Sequence, residues 1–241
     1  MSRFDVKEFP CPECDQSVEF GVVASINADR RPDLRDAILD GSFQRGSCDH
    51  CGNNFRIDPE FAFLDVGRRQ WILVLPGSEK MRWNHLESNA KFAFEISFGE
   101  NAGGVAHELG KTMHSRVAFG WPAIREKLLC AEYGLDDVIL EQLKLMLIKG
   151  LDNAMVGTDV ELRLNGVEDS HLKLHWISAV DASPLEFLEI PRNLYDEIAA
   201  DKEGWNELRE QLTAGTFVDI DRLLIEAATI EKVEGTDFLQ N

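Results

Sequence analysis

A chain of 241 residues with 44% apolar and 28% charged residues can bury a full core and fits one large domain or two small ones. Its apolar runs fall far short of the roughly 20 residues that span a bilayer, and its start, MSRFDVKEFPCPEC, has no apolar h-region, so a soluble cytoplasmic protein is expected. The net charge of -18 is lopsided: residues 1–118 hold 14 Lys/Arg against 18 Asp/Glu, a net of -4, and residues 119–241 hold 11 against 25, a net of -14. Such a surface repels nucleic-acid phosphates and anionic lipid and favours basic partners, although acidity also serves plain solubility.

Four of the five cysteines form two C-x2-C pairs, Cys11-Pro-Glu-Cys14 and Cys48-Asp-His-Cys51. Two intervening residues let both sulfurs of a pair turn toward one point, so each pair supplies two corners of a tetrahedron. Zinc accepts four thiolates in that arrangement at roughly 2.3 Å. A structural disulfide is disfavoured in a reducing compartment, and a thioredoxin-type pair comes singly at a helix start, whereas both pairs here lie beside strand-like sequence. The expectation is one structural zinc ion on Cys11, Cys14, Cys48 and Cys51, with no coordination position left for water.

Between the pairs lie 33 residues, more than a plain ribbon needs. Val18, Phe20 and Val22 alternate as in a strand. Pro32 then suits the first turn of a short helix, with Leu34, Ala37 and Ile38 on one face and Gly41 past its end. Phe43 to Ser47 reads as a returning strand, Gly52 suits the tight turn after the second pair, and Phe55 and Ile57 continue the strand pattern. The N-terminal part is thus a ribbon with a helical excursion.

The run from Cys11 through Cys51 resembles the CpXC domain of prokaryotic proteins, and Trp71-Ile-Leu-Val-Leu-Pro76 is similar to its following strand. Arg116-Val-Ala-Phe-Gly120, Leu128, Gly134-Leu-Asp-Asp137 and Glu141-Gln-Leu-Lys-Leu145 resemble the continuation of the chain in longer members, so the likeness covers about residues 8–150. The first pair matches the family's C-P-x-C pattern, whereas the second has Asp49 where proline is usual. The resemblance implies a metal-binding, zinc-ribbon-like fold and a prokaryotic origin, and assigns no activity.

Farther along, Gln70 to Leu75 reads as a buried strand ended by Pro76-Gly77. Phe92, Phe94, Ile96 and Phe98 alternate with Lys91, Ala93, Glu95 and Ser97, which predicts a half-buried strand, followed by a loop over Gly99 to Gly104. Ser115 to Phe119 is a further strand. Helices then run from Pro122 to before Gly134, with Ile124, Leu128 and Leu129 inward, and from an N-cap at Asp136 to before Gly150. The second carries Ile139, Leu140, Leu143, Met146 and Leu147, a surface wide enough for a core position or half of an interface. Residues 160–164 and 171–177 alternate as a hairpin with Asn165-Gly166 in its loop region. Helices resume at Pro191, near Trp205 and from Asp219 to Ala228, and the closing EGTDFLQN is expected to fray.

Other candidate sites fail on spacing. His107-Glu108 starts a zinc-protease H-E-x-x-H, but Lys111 occupies the second ligand position and His114 lies beyond it. Pro10-Cys11-x-x-Cys14 copies half of the nucleobase-deaminase signature, yet His85-Leu86-Glu87, its H-x-E half, comes after rather than before it. His171 and His175 would stand about 13 Å apart on a strand, too far to clasp one metal. His50 lies between thiols that already fill the shell. Cys130 sits in an apolar helix as a core thiol, and Arg30-Arg31 and Arg68-Arg69 do not make a basic stripe.

The sequence therefore reads as an α+β protein, with a zinc-binding region over residues 5–150 and an acidic α+β region over 151–241. The function it favours is a non-enzymatic, protein-interaction adaptor or regulator that binds a protein partner or itself, away from membranes and nucleic acid. A nucleic-acid-associated regulator using the ribbon, and an enzyme whose site is scattered along the chain, are the alternatives.

Overall fold

The structure is a computed structural model that describes residues 2–151, 155, 157 and 159–237. The chain divides into two units, Met1–Leu128 and Leu129–Asn241. The first opens with β1 (Arg3–Pro10), which pairs antiparallel with β2 (Ser17–Asn27). Along β2, Val22, Val23 and Ile26 turn inward. Then comes α1 (Pro32–Asp40), whose proline stands in the first turn, where a missing N–H costs nothing. Gly41 ends it in a left-handed conformation at φ 79°. Leu34 and Ile38 are its buried face. β3 (Arg45–Ser47) and β4 (Asn54–Arg56) form a separate two-stranded ribbon.

β5 (Phe61–Asp65) and β6 (Gln70–Leu75) return to the main sheet, with Phe61 and Phe63 buried. A 3₁₀ turn at Gly77–Arg82 leads into α2 (Trp83–Phe98), α3 (Gly104–Gly110), β7 (His114–Phe119) and α4 (Gly120–Glu132). The sheet order is β1-β2-β5-β6-β7, antiparallel in β1/β2 and β5/β6 and parallel in β2/β5 and β6/β7. Trp121, at the start of α4, stacks on Phe61 at 5.6 Å and meets Phe43 edge-on at 5.8 Å. Its indole N–H donates to the Ile57 carbonyl at 2.9 Å, so the chain leaving β4 is pinned to the main core.

Residues 92–98 are helical, which corrects the expected strand. Their alternation is the sum of two helical pairs on opposite faces. Phe94 and Phe98 turn inward, 5.3 Å apart, with Phe94 also 5.3 Å from Trp71. Phe92 and Ile96 turn to solvent. Spacing of four, shared with buried Trp83, Glu87 and Ala90, wins over spacing of two.

In the second unit, α5 (Asp137–Gly150) begins at Asp136, whose carboxylate accepts the Val138 N–H at 2.8 Å. Val138, Ile139, Leu140 and Leu143 are buried, so the wide apolar surface belongs to the interior. β8 (Val160–Glu168), β9 (His171–Ser178) and β10 (Pro184–Pro191) make an antiparallel sheet in the order β10-β9-β8. The β8–β9 turn is Asp169-Ser170, with φ of 46° and 64°, rather than Asn165-Gly166. Asn165-Gly166 instead lies where the register of β8 shifts, between Leu164 and Gly166. Both turn residues adopt the positive φ that a two-residue hairpin of matching twist requires.

α6 (Arg192–Ala200), α7 (Asn206–Thr213) and α8 (Ile220–Asp237) complete the unit. The Tyr195 hydroxyl of α6 accepts the Asp136 N–H at 2.6 Å, and burial pushes its ionisation up to about 12. Val138, Leu212 and Val218 form a small core, and Gln142 donates to the Trp205 carbonyl at 2.9 Å. α8 runs through Asp237, past the expected stop at Ala228; residues 238–241 of the expected frayed end lie outside the described residues. Among the described residues, no helix is long and apolar enough to cross a membrane.

Buried charge ties these elements together. Arg163 of β8 donates to Glu161 at 2.8 Å, Asp219 at 2.5 Å and Asp221 at 3.4 Å, with all four side chains at most 8% exposed. Glu141 of α5 takes the Lys144 ammonium at 2.9 Å and the Ile220 N–H at 3.0 Å, which places a carboxylate at the start of α8, where the helix dipole favours it. Removing the guanidinium that three buried carboxylates share is expensive. Arg163→Met is expected to lower stability by about 3–5 kcal/mol in urea unfolding, and a loss below about 1 kcal/mol would contradict this role.

Candidate metal centre

The two cysteine pairs sit at the tips of two hairpins. Cys11-x-x-Cys14 occupies the turn between β1 and β2, and Cys48-x-x-Cys51 the turn between β3 and β4. Both tips use the same backbone device. In the first, the Cys11 N–H donates to the Gln16 carbonyl and the Asp15 N–H returns to the Cys11 carbonyl, each at 2.9 Å. In the second, the Cys48 N–H donates to Asn53 at 2.9 Å and the Gly52 N–H returns to Cys48 at 2.8 Å. The residue four after the first cysteine is left-handed in both, Asp15 at φ 57° and Gly52 at φ 73°. Glycine at 52 announces this need in the sequence; aspartate at 15 hides it, being among the few other residues that tolerate the conformation.

All four sulfurs lie within 4.8 Å of one another. Across the tips, Cys11 and Cys51 are 3.7 Å apart, as are Cys14 and Cys48. A tetrahedron of sulfurs at roughly 2.3 Å from its centre has edges of about 3.8 Å, so the spacing fits a four-coordinate soft metal ion. It does not fit disulfides, whose sulfurs stand roughly 2.05 Å apart, and all the cysteines are free thiols. The first cysteine of each pair is buried, with Cys11 at 0% and Cys48 at 1%, while Cys51 faces solvent.

Crowding sets the acidity of these thiols. Burial would raise Cys11, but the Glu13 and Cys14 N–H groups and the Cys51 and Cys14 thiols outweigh it and bring it down to about 7. At Cys14, the Gln16 N–H favours the anion, yet burial and the three neighbouring thiols prevail and push it up to about 12. Four adjacent thiols cannot all ionise without a cation to absorb the charge, and a divalent metal supplies that charge as it binds.

Aromatic packing brings the second hairpin to the first. The Phe20 ring of β2 lies 5.9 Å from that of Phe55 in β4 and passes over the backbone of Gly46 in β3, where an added Cβ would come within 2.4 Å of it. Gly46 and the Phe20–Phe55 contact are parts of the site that cysteine spacing does not disclose. The only sequence hint is a glycine two positions before the second pair.

The structure separates the remaining candidates from this cluster. His50 is exposed at the second tip, outside the four-sulfur group. Cys130 is a buried thiol of α4. Glu108 on α3 is held by Lys111 at 2.7 Å, the same residue that breaks the protease spacing, and that hydrogen bond lowers its pKa. His171 bonds the Asp169 carbonyl through Nδ1 at 2.9 Å, and His175 packs on Phe187. Arg31 is engaged by Asp33 at 2.6 Å.

A mixed sheet carrying a two-hairpin, four-cysteine cluster compatible with a bound metal, followed by a second α+β unit, defines the class of protein. Residues 9–144 match the family model described as CpXC protein, more than half of the chain, and the chain belongs to the CpXC family. It is also similar to an uncharacterised protein of Treponema pallidum (strain Nichols), at 18% identity over 217 residues, covering 89% of this chain and 97% of that relative. No solved structure matches it.

Three substitutions test the supports of the cluster. Gly46→Ala drives a methyl group into the Phe20 ring and is expected to cost about 1–3 kcal/mol. At the two left-handed positions, Gly52→Ala should destabilise the ribbon by about 1 kcal/mol, whereas Asp15→Gly should be close to neutral. Thermal unfolding of the metal-loaded protein checks all three, and equal behaviour at positions 15 and 52 would contradict the shared turn geometry.

Proposed function

We propose that one zinc ion, held by Cys11, Cys14, Cys48 and Cys51, locks the N-terminal unit into a non-enzymatic platform, and that the acidic second unit engages a basic protein partner. The four-sulfur spacing carries the zinc assignment. Zinc has no preference that four thiolates in a tetrahedron would violate, and a shell filled by protein sulfur suits a structural ion. The interaction half rests on charge. Residues 129–241 hold 24 Asp/Glu against 9 Lys/Arg, a net of -15, and such a field speeds encounter with cationic surfaces.

The charge around the two hairpin tips weighs against nucleic-acid binding as the main role. Glu8, Glu13, Asp15, Glu19 and Asp49 lie on or beside the tips and outnumber Lys7, Arg45 and Arg56 in the same segments. A phosphate backbone approaching the metal end would meet mainly carboxylates, and contacts of that sign add repulsion rather than counterion release.

Purified protein is expected to carry about one zinc per chain, and Cys11→Ser or Cys51→Ser to lose it together with the folded ribbon, because ligand binding is folding free energy at such a site. Elemental analysis decides this; iron, revealed by visible absorption, would replace the zinc assignment. For the partner, affinity capture with the full chain from its native host should recover a basic protein at about 50 mM salt and release it at about 500 mM, where screening reaches within a few ångströms. Recovery of nothing at low salt would remove the interaction reading.

A further inference from the structure

We infer that the outer edge of β10 receives an extended basic segment of a partner protein as a fourth strand; this rests on the reading of the acidic unit as the partner-binding one. β10 ends the order β10-β9-β8, and among the described residues no strand lies on its far side. Such an edge is a template for another chain unless it is blunted. Its backbone blunting is confined to its ends. Pro184 and Pro191 lack an N–H, and a register shift falls between Pro184 and Glu186. Between them, Glu186 to Ile190 pair regularly with Trp176 to Leu172 of β9, leaving the other edge of the same residues to accept a strand.

The side chains say which strand fits. Leu185 is 49% and Phe187 63% exposed, and Phe187 is held by the His175 ring, edge to face at 4.4 Å. Glu186 and Glu189 are also exposed, and the edge carries no lysine or arginine from Pro184 to Pro191. An incoming strand therefore meets Phe187 and Glu189 on one face of the sheet, with Lys173 of β9 opposite Glu189, and Glu186 on the other face. A second copy of this chain is a poor occupant: edge-to-edge self-pairing offers no cation to Glu186 or Glu189, since Pro184–Pro191 contains no lysine or arginine, and it brings together two units of net charge -15. A segment with basic residues facing Glu186 and Glu189 and an aromatic or branched residue facing Phe187 turns those repulsions into attractions. Backbone hydrogen bonds would supply the docking, and alternate side chains the choice of partner.

The probe is the blocked peptide Thr-Lys-Val-Tyr-Lys-Thr, which sets Lys opposite both glutamates and Tyr opposite Phe187 in an antiparallel register. Titrated into the isotope-labelled full chain, it should bind saturably and slow amide exchange within Leu185–Ile190. The E186K/E189K variant changes only exposed side chains and should weaken binding by about tenfold or more. Two further peptides, N-methylated at alternate residues in the two possible frames, should differ, because only one frame of N–H groups faces β10. Equal binding of both frames, slowed exchange outside β10, protection that grows with protein concentration in the absence of peptide, or no binding would each overturn the proposal. Native capture that survives E186K/E189K would also overturn it while leaving the acidic-unit reading intact; capture of nothing at low salt by the unmodified chain would remove that reading itself.

Discussion

The convergence of four sulfurs from turns 34 and 40 residues apart is the constraint on which the N-terminal unit depends. β3 and β4 are three residues each, far too short to stand alone as a hairpin in water. Their partner is the β1–β2 tip, through the thiol cluster and the Phe20–Phe55 contact. Protein contacts at that junction include a tilted aromatic pair and the Gln44 side chain, which accepts the Val23 N–H at 3.0 Å and donates to the Gly21 carbonyl at 2.9 Å, beside four thiols that resist ionising together. A bound metal converts the repulsion into cohesion, with apparent energies on the order of 10–16 kcal/mol for sites of this chemistry. Through Ile57 and its bond to Trp121, the ribbon is then coupled to the main core at Phe61 and Phe43.

The second unit is held by different means. Beside its buried apolar side chains, much of its definition comes from directional polar contacts: the Asp136 cap, the Tyr195 hydroxyl, Gln142 on the Trp205 carbonyl, and the Arg163 cluster. Buried ion pairs of this kind add little net stability compared with well-packed apolar residues, but they are costly to break singly and so penalise alternative packings. The proposed choice of a partner by charge rests on the acidic composition of this unit, not on these interior contacts.

Local signals that act over a few residues were readable in the sequence. Paired cysteines name their own geometry. Pro32 and Gly41 bracket α1 because each has a backbone preference that little else imitates, and Asp136 caps α5 through its own side chain. What was not readable depended on context. The apolar alternation from Phe92 to Phe98 carries a strand period and a helix period at once, and the face shared with buried Trp83, Glu87 and Ala90, with Trp71 against Phe94, selects the helix. Asn165-Gly166 has hairpin chemistry, yet the register with β9 assigns it to a bulge and gives the turn to Asp169-Ser170. The residues of β10, between the expected hairpin and the helix at Pro191, carry no assignment from sequence, and pairing with β9 makes them a strand. At the sulfur cluster the four cysteines were legible and their supports were not, because Asp15 conceals a left-handed turn and Gly46 reveals its purpose only beneath the Phe20 ring.

X-ray absorption at the zinc edge of the purified full chain bears most directly on the centre of this account. Four sulfur scatterers at roughly 2.3 Å, with no lighter ligand, are the expected first shell. A nitrogen or oxygen ligand in that shell, from His50 or water, or protein that is fully folded without any bound metal, would contradict it.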